Sequence, residues 1–151
     1  MVSCYRRQLL FAAGFGYHAI SIHDDRMMLM QKPRNKTPYG FAIGLALIAS
    51  LLLIWLSLGV GIIGADGDPA NLMYFGVIAV GIIGAAVTRL RPAGMAQTLL
   101  AMAIVQALIA FIALFMGLGL PYSGPAEIIL LNGFFIVMFV VAAWLFKRAT
   151  R

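Results

Sequence analysis

Thiols are nearly absent from this sequence, with Cys4 the single cysteine in 151 residues. That excludes a disulfide framework and any site needing several thiolates, and Cys4 reads as an unpaired cytosolic thiol. Histidine is almost as scarce. His18 and His23 are the only two, both in the first 36 residues. His23-Asp24-Asp25 can be drawn as metal ligands, but adjacent residues in a tail rarely converge on one ion, so no metal site is expected. Charge is the third scarcity. Only 11% of residues are Asp, Glu, Lys or Arg, against about a quarter in an ordinary soluble domain. With 63% hydrophobic residues and a mean hydropathy of +0.99, the chain has too little polar surface to cover itself in water. It therefore falls in the membrane class.

The remaining charges are sharply placed. Between Thr37 and Thr88 they are Asp66 and Asp68 alone, and between Arg91 and Lys147 only Glu127. Four apolar runs lie between these marks, roughly 38–64, 69–90, 92–119 and 125–147. Each exceeds the about 20 helical residues needed to cross a bilayer core. Pro38, Pro69, Pro92 and Pro125 stand where each helix would begin, the position at which a missing amide hydrogen costs nothing. Thr37 and Asp68 precede two of these prolines as candidate N-caps. Glu127 falls in the first turn of the last run, against the positive end of the helix dipole.

All eleven Lys and Arg residues fall before the first run, between the second and third, or after the fourth. The two remaining loops hold Asp66, Asp68 and Glu127 and no basic residue. With four crossings the positive-inside rule puts both termini in the cytoplasm. Tyr39 and Trp144 fall near the inner interface, Tyr74 and Tyr122 near the outer one, as an aromatic belt would have it. The basic face is a topology signal with some attraction for anionic lipid. No base-reading module accompanies it, so nucleic-acid binding is not expected.

One motif invites a different reading. Gly59 to Gly64, "GVGIIG", fits the G-x-G-x-x-G of a dinucleotide-binding turn. That chemistry needs a strand before, a helix after and an acid about 20 residues on. Here some twenty apolar residues precede Gly59, a short loop follows Gly64, and positions 79–90 contain no Asp or Glu. No cofactor is implied. The glycines read instead as a close-packing surface at the outer end of the first helix. "VGIIGA" recurs at 60–65 and 80–85, and Gly40-x-x-x-Gly44 opens the first run. Ala42, Ala46 and Ala49 extend that small face. Gly76, Gly84, Ala85, Ala103, Ala107 and Ala110 offer similar sites on runs two and three, since small residues let membrane helices approach closely. Asp66-Gly67-Asp68 lacks the acidic residue that an EF-hand needs eleven positions on, where Val77 stands. It reads as a tight acidic turn.

Within the spans the notable polar residues are Ser50, Ser57, Gln106 and Asn132. Each can hydrogen-bond a neighbouring helix, worth about 0.6–2 kcal/mol. The competing reading is that they line a solute path. No Asp, Glu, Lys, Arg or His lies inside a span, whereas ion-coupled transporters usually embed one. Small multidrug transporters share the span count but rely on a membrane-embedded glutamate that is missing here. Nor is there a nucleophile with a base near an interface, so no catalytic residue is named and no enzyme is expected.

Residues 1–36 form a basic N-terminal segment on the cytoplasmic side. Residues 9–22, "LLFAAGFGYHAISI", are too short to span comfortably. They follow Arg6-Arg7, so "YRRQLL" weakly resembles a twin-arginine signal, without a clear cleavage site. The plainer readings are an interfacial amphipathic segment or a poorly ordered tail; a third is a mis-extended start, with Met27, Met28 and Met30 just ahead of "QKPRNKTPYG" and residues 1–29 dispensable.

The blocks "GDPANLMYFGVIAVGIIGA", "RLRPAGMAQTLLAMAIVQALIA" and "ILLNGFF" resemble a family of small uncharacterised bacterial inner-membrane proteins with four predicted spans. The resemblance covers roughly residues 38–148. It implies a bacterial inner-membrane location and this topology, and supplies no site. The expected fold is thus all-α: an integral membrane bundle of four antiparallel transmembrane helices over 37–148, with a short cytoplasmic tail at 149–151. The expected function is that of a non-enzymatic integral membrane protein, an accessory or assembly subunit or a homo-oligomer. It would meet the lipid bilayer and a membrane-protein partner, or itself, through glycine-rich helix faces. The alternative is a channel or carrier for small neutral or apolar solutes, with Gln106 and Asn132 along its path.

Overall fold

The computed structural model describes residues 36–65 and 67–150. The readings placed on the N-terminal segment, His18, His23 and Asp66 lie outside them, Lys36 apart. Among the described residues the structure is helical, with no strand. Helix α1 spans Lys36–Gly59, α2 Tyr74–Thr88, α3 Pro92–Phe115 and α4 Pro125–Ala149. A 3-10 turn, Pro69–Met73, leads directly into α2. Counting that turn with α2, all four are long and apolar enough to cross a membrane. The 24 residues of α1 rise about 36 Å, against a hydrocarbon core of about 30 Å. Their outward faces are themselves apolar, with Trp55, Ile82, Phe111 and Leu130 all well exposed. Lipid tails can meet such faces where water cannot, and together these features mark a multi-pass membrane protein.

Two runs end earlier than their hydropathy suggests. The first helix stops at Gly59 rather than 64, and the third at Phe115 rather than 119. Glycine is the cause in both. Gly61 and Gly64 adopt φ of 78° and 74°, Gly117 and Gly119 φ of 65° and 107°, the left-handed region that ends a helix. At the end of α3 the Leu118 amide donates to the Ala113 carbonyl at 2.8 Å and that of Gly117 to Leu114 at 3.3 Å, a Schellman closure. The end of α2 closes the same way without glycine: Arg89 and Leu90 have φ of 51° and 57°, and their amides donate to Ala86 and Ala85. Gly61 and Gly64 are therefore loop residues, which corrects their reading as part of a helix surface. Thr37 is likewise not a cap, because α1 begins one residue before it. Asp68 is a cap as expected, its carboxylate accepting from the Ala70 amide at 2.8 Å.

The helices are arranged so that α3 and α4 share the largest interface, α1 packs on α4, and α2 packs on α3, while α1 and α2 barely touch. Phe135, Phe139 and Phe146 of α4, Leu53 of α1 and Leu99 of α3 form the buried centre. One end of the bundle gathers Tyr39, Leu90 and Phe146. The Tyr39 hydroxyl donates to the Leu90 carbonyl at 2.8 Å, and its ring meets Phe146 edge-on at 5.5 Å. Lys36, Arg89, Arg91, Lys147 and Arg148 all belong to the helix ends that meet there. Arg148 lies over the half-exposed Trp144 ring at 4.3 Å. At the opposite end the loop after α1 packs on the loop after α3, where the Ser123 hydroxyl donates to the Gly64 carbonyl at 3.3 Å.

Candidate functional site

The bundle interior holds a polar cluster built from three helices. Gln106 sits near the middle of α3, Asn132 two turns into α4 and Tyr74 at the start of α2. Gln106 is fully buried and the other two nearly so, at 1% exposure each. The Asn132 amide oxygen accepts from both partners: the Gln106 side-chain amide at 2.9 Å and the Tyr74 hydroxyl at 3.0 Å. The Asn132 side-chain nitrogen then donates to the Ile128 carbonyl one turn back, at 2.8 Å. That last bond fixes the amide orientation, since a flipped Asn132 would turn its oxygen onto the Ile128 carbonyl, which can only accept. The Gln106 side-chain oxygen has no partner.

Hydropathy pointed to Gln106 and Asn132, and the structure brings them together. It places Tyr74 elsewhere than expected: instead of standing in the outer aromatic belt, it turns its ring into the bundle and its hydroxyl onto Asn132. A signal for this exists in the sequence. Tyr74, Val77, Gly81 and Gly84 follow helical spacing, and Tyr74 and Val77 are the buried residues of α2. Proximity to a charged loop outweighed that register. Tyr122, by contrast, is exposed, as a belt residue should be.

A second polar device was not anticipated. Asn71, in the 3-10 turn and 4% exposed, accepts from the Ile62 and Ile63 amides at 2.9 Å each. Its side-chain nitrogen donates to the Ile63 carbonyl at 3.1 Å. One side chain thus satisfies a short non-helical stretch whose Ile62 and Ile63 side chains are buried. Unpaired backbone groups at this depth would cost several kcal/mol each, roughly, in hydrocarbon. The motif "GVGIIG" is therefore a helix end and a folded-back plug, with no strand–turn–helix about it.

The small residues divide into two sets. A Cβ on Gly84 would overlap the Thr98 side chain, and one on Gly81 would come within 2.9 Å of the Met102 sulfur; these glycines let α2 lie close on α3. A Cβ on Gly40, Gly44 or Gly76 would meet none of the described residues within 4 Å. Ser57 bonds its own helix, donating to the Ile54 carbonyl at 3.0 Å. Ser50 and Thr98 border a groove of about 340 Å³ in the seam between α1 and α2, floored by Met95, Leu99 and Phe146. Neither Gln106 nor Asn132 lines it.

Chemically, the cluster can tie helices together and accept one further hydrogen bond at Gln106. Among the described residues no three His, Cys, Asp or Glu side chains gather as metal ligands. No family model, curated protein or solved structure matches the chain.

Proposed function

We propose that this chain is a non-enzymatic subunit of the bacterial inner membrane that works by association, with a second membrane protein or with itself, through the outer face of α1. In this reading the four helices cross alternately, and the basic end with both termini faces the cytoplasm, as the segregation of charge favours. The observation that carries the proposal is the idle small face at Gly40 and Gly44. A four-residue spacing puts both on one side of the helix, yet a Cβ at either would meet none of the described residues within 4 Å. Glycine costs a helix about 1 kcal/mol relative to alanine, and close approach of another helix is what offsets it in a membrane. Gly81 and Gly84, which do have neighbours, show the same chain using glycine in that way.

The carrier reading finds less support. Gln106 and Asn132 are bonded to each other and buried, and the groove between α1 and α2 is apolar and bypasses them. The test is purification from native membranes in mild detergent with wild-type chain and Gly44→Leu. A complex larger than the monomer that Gly44→Leu disperses, without loss of folded protein, supports association. Monomer alone from native membranes rejects it.

A further inference from the structure

We propose that the groove between α1 and α2 is a binding site for an anionic phospholipid, one acyl chain lying in the groove and the headgroup phosphate held at the basic end. This does not rest on the association reading, since the groove is lined by Ile43, Ala46, Leu47 and Ser50 of α1 and not by Gly40 or Gly44.

The groove exists because α1 and α2, neighbours in sequence, barely touch. They are held together at the basic end by the Tyr39–Leu90 hydrogen bond, and α3 and α4 form the floor behind them. Its volume of about 340 Å³ lies within the roughly 300–1,000 Å³ usual for small-molecule sites. The walls run from Ile43 to Ser50 on α1 and from Ile78 to Ala85 on α2. Each is about 10 Å of helix rise, which is within one leaflet. The rim residues Leu47 and Ile82 are 59% and 66% exposed, so the groove opens sideways, toward lipid tails. The lining is apolar except for Ser50 and Thr98, and the Thr98 hydroxyl is already donated to the Gly94 carbonyl at 3.1 Å.

Charge selects among lipids. Leu90 closes the groove at the basic end and is flanked in sequence by Arg89 and Arg91. Arg89 is exposed, and its left-handed backbone ends α2 at the level where a headgroup would sit. Lys36 and Lys147 are exposed at the neighbouring helix ends. Among the described residues the acids are Asp68 and Glu127, which belong to the opposite end of the bundle. An apolar slot within one leaflet and with a cationic mouth complements an anionic lipid. A zwitterionic lipid of the same chains gains the slot but little from the mouth.

The test is native mass spectrometry of the delipidated full chain titrated with phosphatidylglycerol or with phosphatidylcholine of identical acyl chains. The expected result is several-fold greater retention of phosphatidylglycerol. Arg89→Asn removes the charge while suiting the left-handed backbone, and should reduce phosphatidylglycerol retention to the phosphatidylcholine level. Ala46→Phe, or Ala85→Phe from the opposite wall, fills the slot and should reduce retention of both. Equal retention of the two lipids by the wild type overturns the proposal. So does selective retention that survives a groove-filling variant, which would mean a basic surface alone, or a dimer formed through the groove without regard to lipid. If one filled variant fails to fold, the other and Arg89→Asn decide.

Discussion

Replacing Asn132 with Leu should destabilise the bundle by about 1–3 kcal/mol. Leu has nearly the same shape, so the packing around the site changes little and the effect isolates the hydrogen bonds. The substitution removes the one oxygen that accepts from both Gln106 and Tyr74, leaving two buried donors on two other helices. In water-soluble proteins each such orphan costs about 1–3 kcal/mol. In bilayers the measured pairwise values are smaller, about 0.6 on average and up to about 1.7 kcal/mol, because the separated helices find other partners. Two interactions at that scale give the range stated. The assay is reversible unfolding in mixed micelles or by steric trapping, with helicity monitored to confirm the folded baseline. A further variant sharpens the reasoning. Combining Asn132→Leu with Gln106→Leu and Tyr74→Phe removes the orphans along with their acceptor, so the triple variant should be more stable than Asn132→Leu alone. An Asn132→Leu protein within about 0.3 kcal/mol of wild type, well below one average membrane hydrogen bond, would refute the account of the cluster. So would a triple variant less stable than the single one.

Other outcomes follow from particular contacts. Asn71→Ala should expose the amides of Ile62 and Ile63 to hydrogen exchange and open the loop at 60–68 to protease, whereas Asn71→Asp keeps the acceptor and should have a smaller effect; equal protection in all three would exclude the clamp. Gly84→Val should displace α2 from α3 and cost about 1–3 kcal/mol as an overpacked contact, with partial recovery when Thr98 is also changed to Ala, both read by the same unfolding assay. Gly64→Ala should cost more than Gly67→Ala. Both have positive φ, but only at Gly64 does the new carbon meet a neighbour, the Asp68 carboxylate at 2.8 Å.

Hydropathy and proline placement made the helices legible because a bilayer span is set by length and apolar content, both of which survive in a bare sequence. The boundary errors at 59 and 115 arose because Ile62, Ile63 and Leu118 are as apolar as any helix residue. What ends the helices is the backbone geometry of Gly61 and Gly117, which hydropathy does not register. Gln106 and Asn132 stood out as polar residues in apolar runs. Their contact did not, since the relative rotation of α3 and α4 follows from packing over their whole length. Tyr74 was hidden by being amphipathic, equally at home at an interface and in a core with a bonding partner. Asn71 was hidden by lying next to a turn, where an asparagine usually needs no tertiary explanation. The division of glycines into Gly81 and Gly84, which pack, and Gly40 and Gly44, which do not, depends on which helix lies opposite and could not be read from spacing alone.

The most direct test of the association claim is disulfide-range crosslinking in native membranes from a cysteine at Gly44, in a background where Cys4 is replaced by Ser. Gly44→Cys adds a thiol into open space on the outer face of α1, whereas Ala49→Cys, at a fully buried position, serves as the control. The account predicts one discrete adduct from Gly44→Cys, of the mass of a dimer or of a defined heterologous pair, and none from Ala49→Cys. Gly44→Cys chains that remain monomeric in native membranes under conditions that crosslink a known helix pair would contradict it.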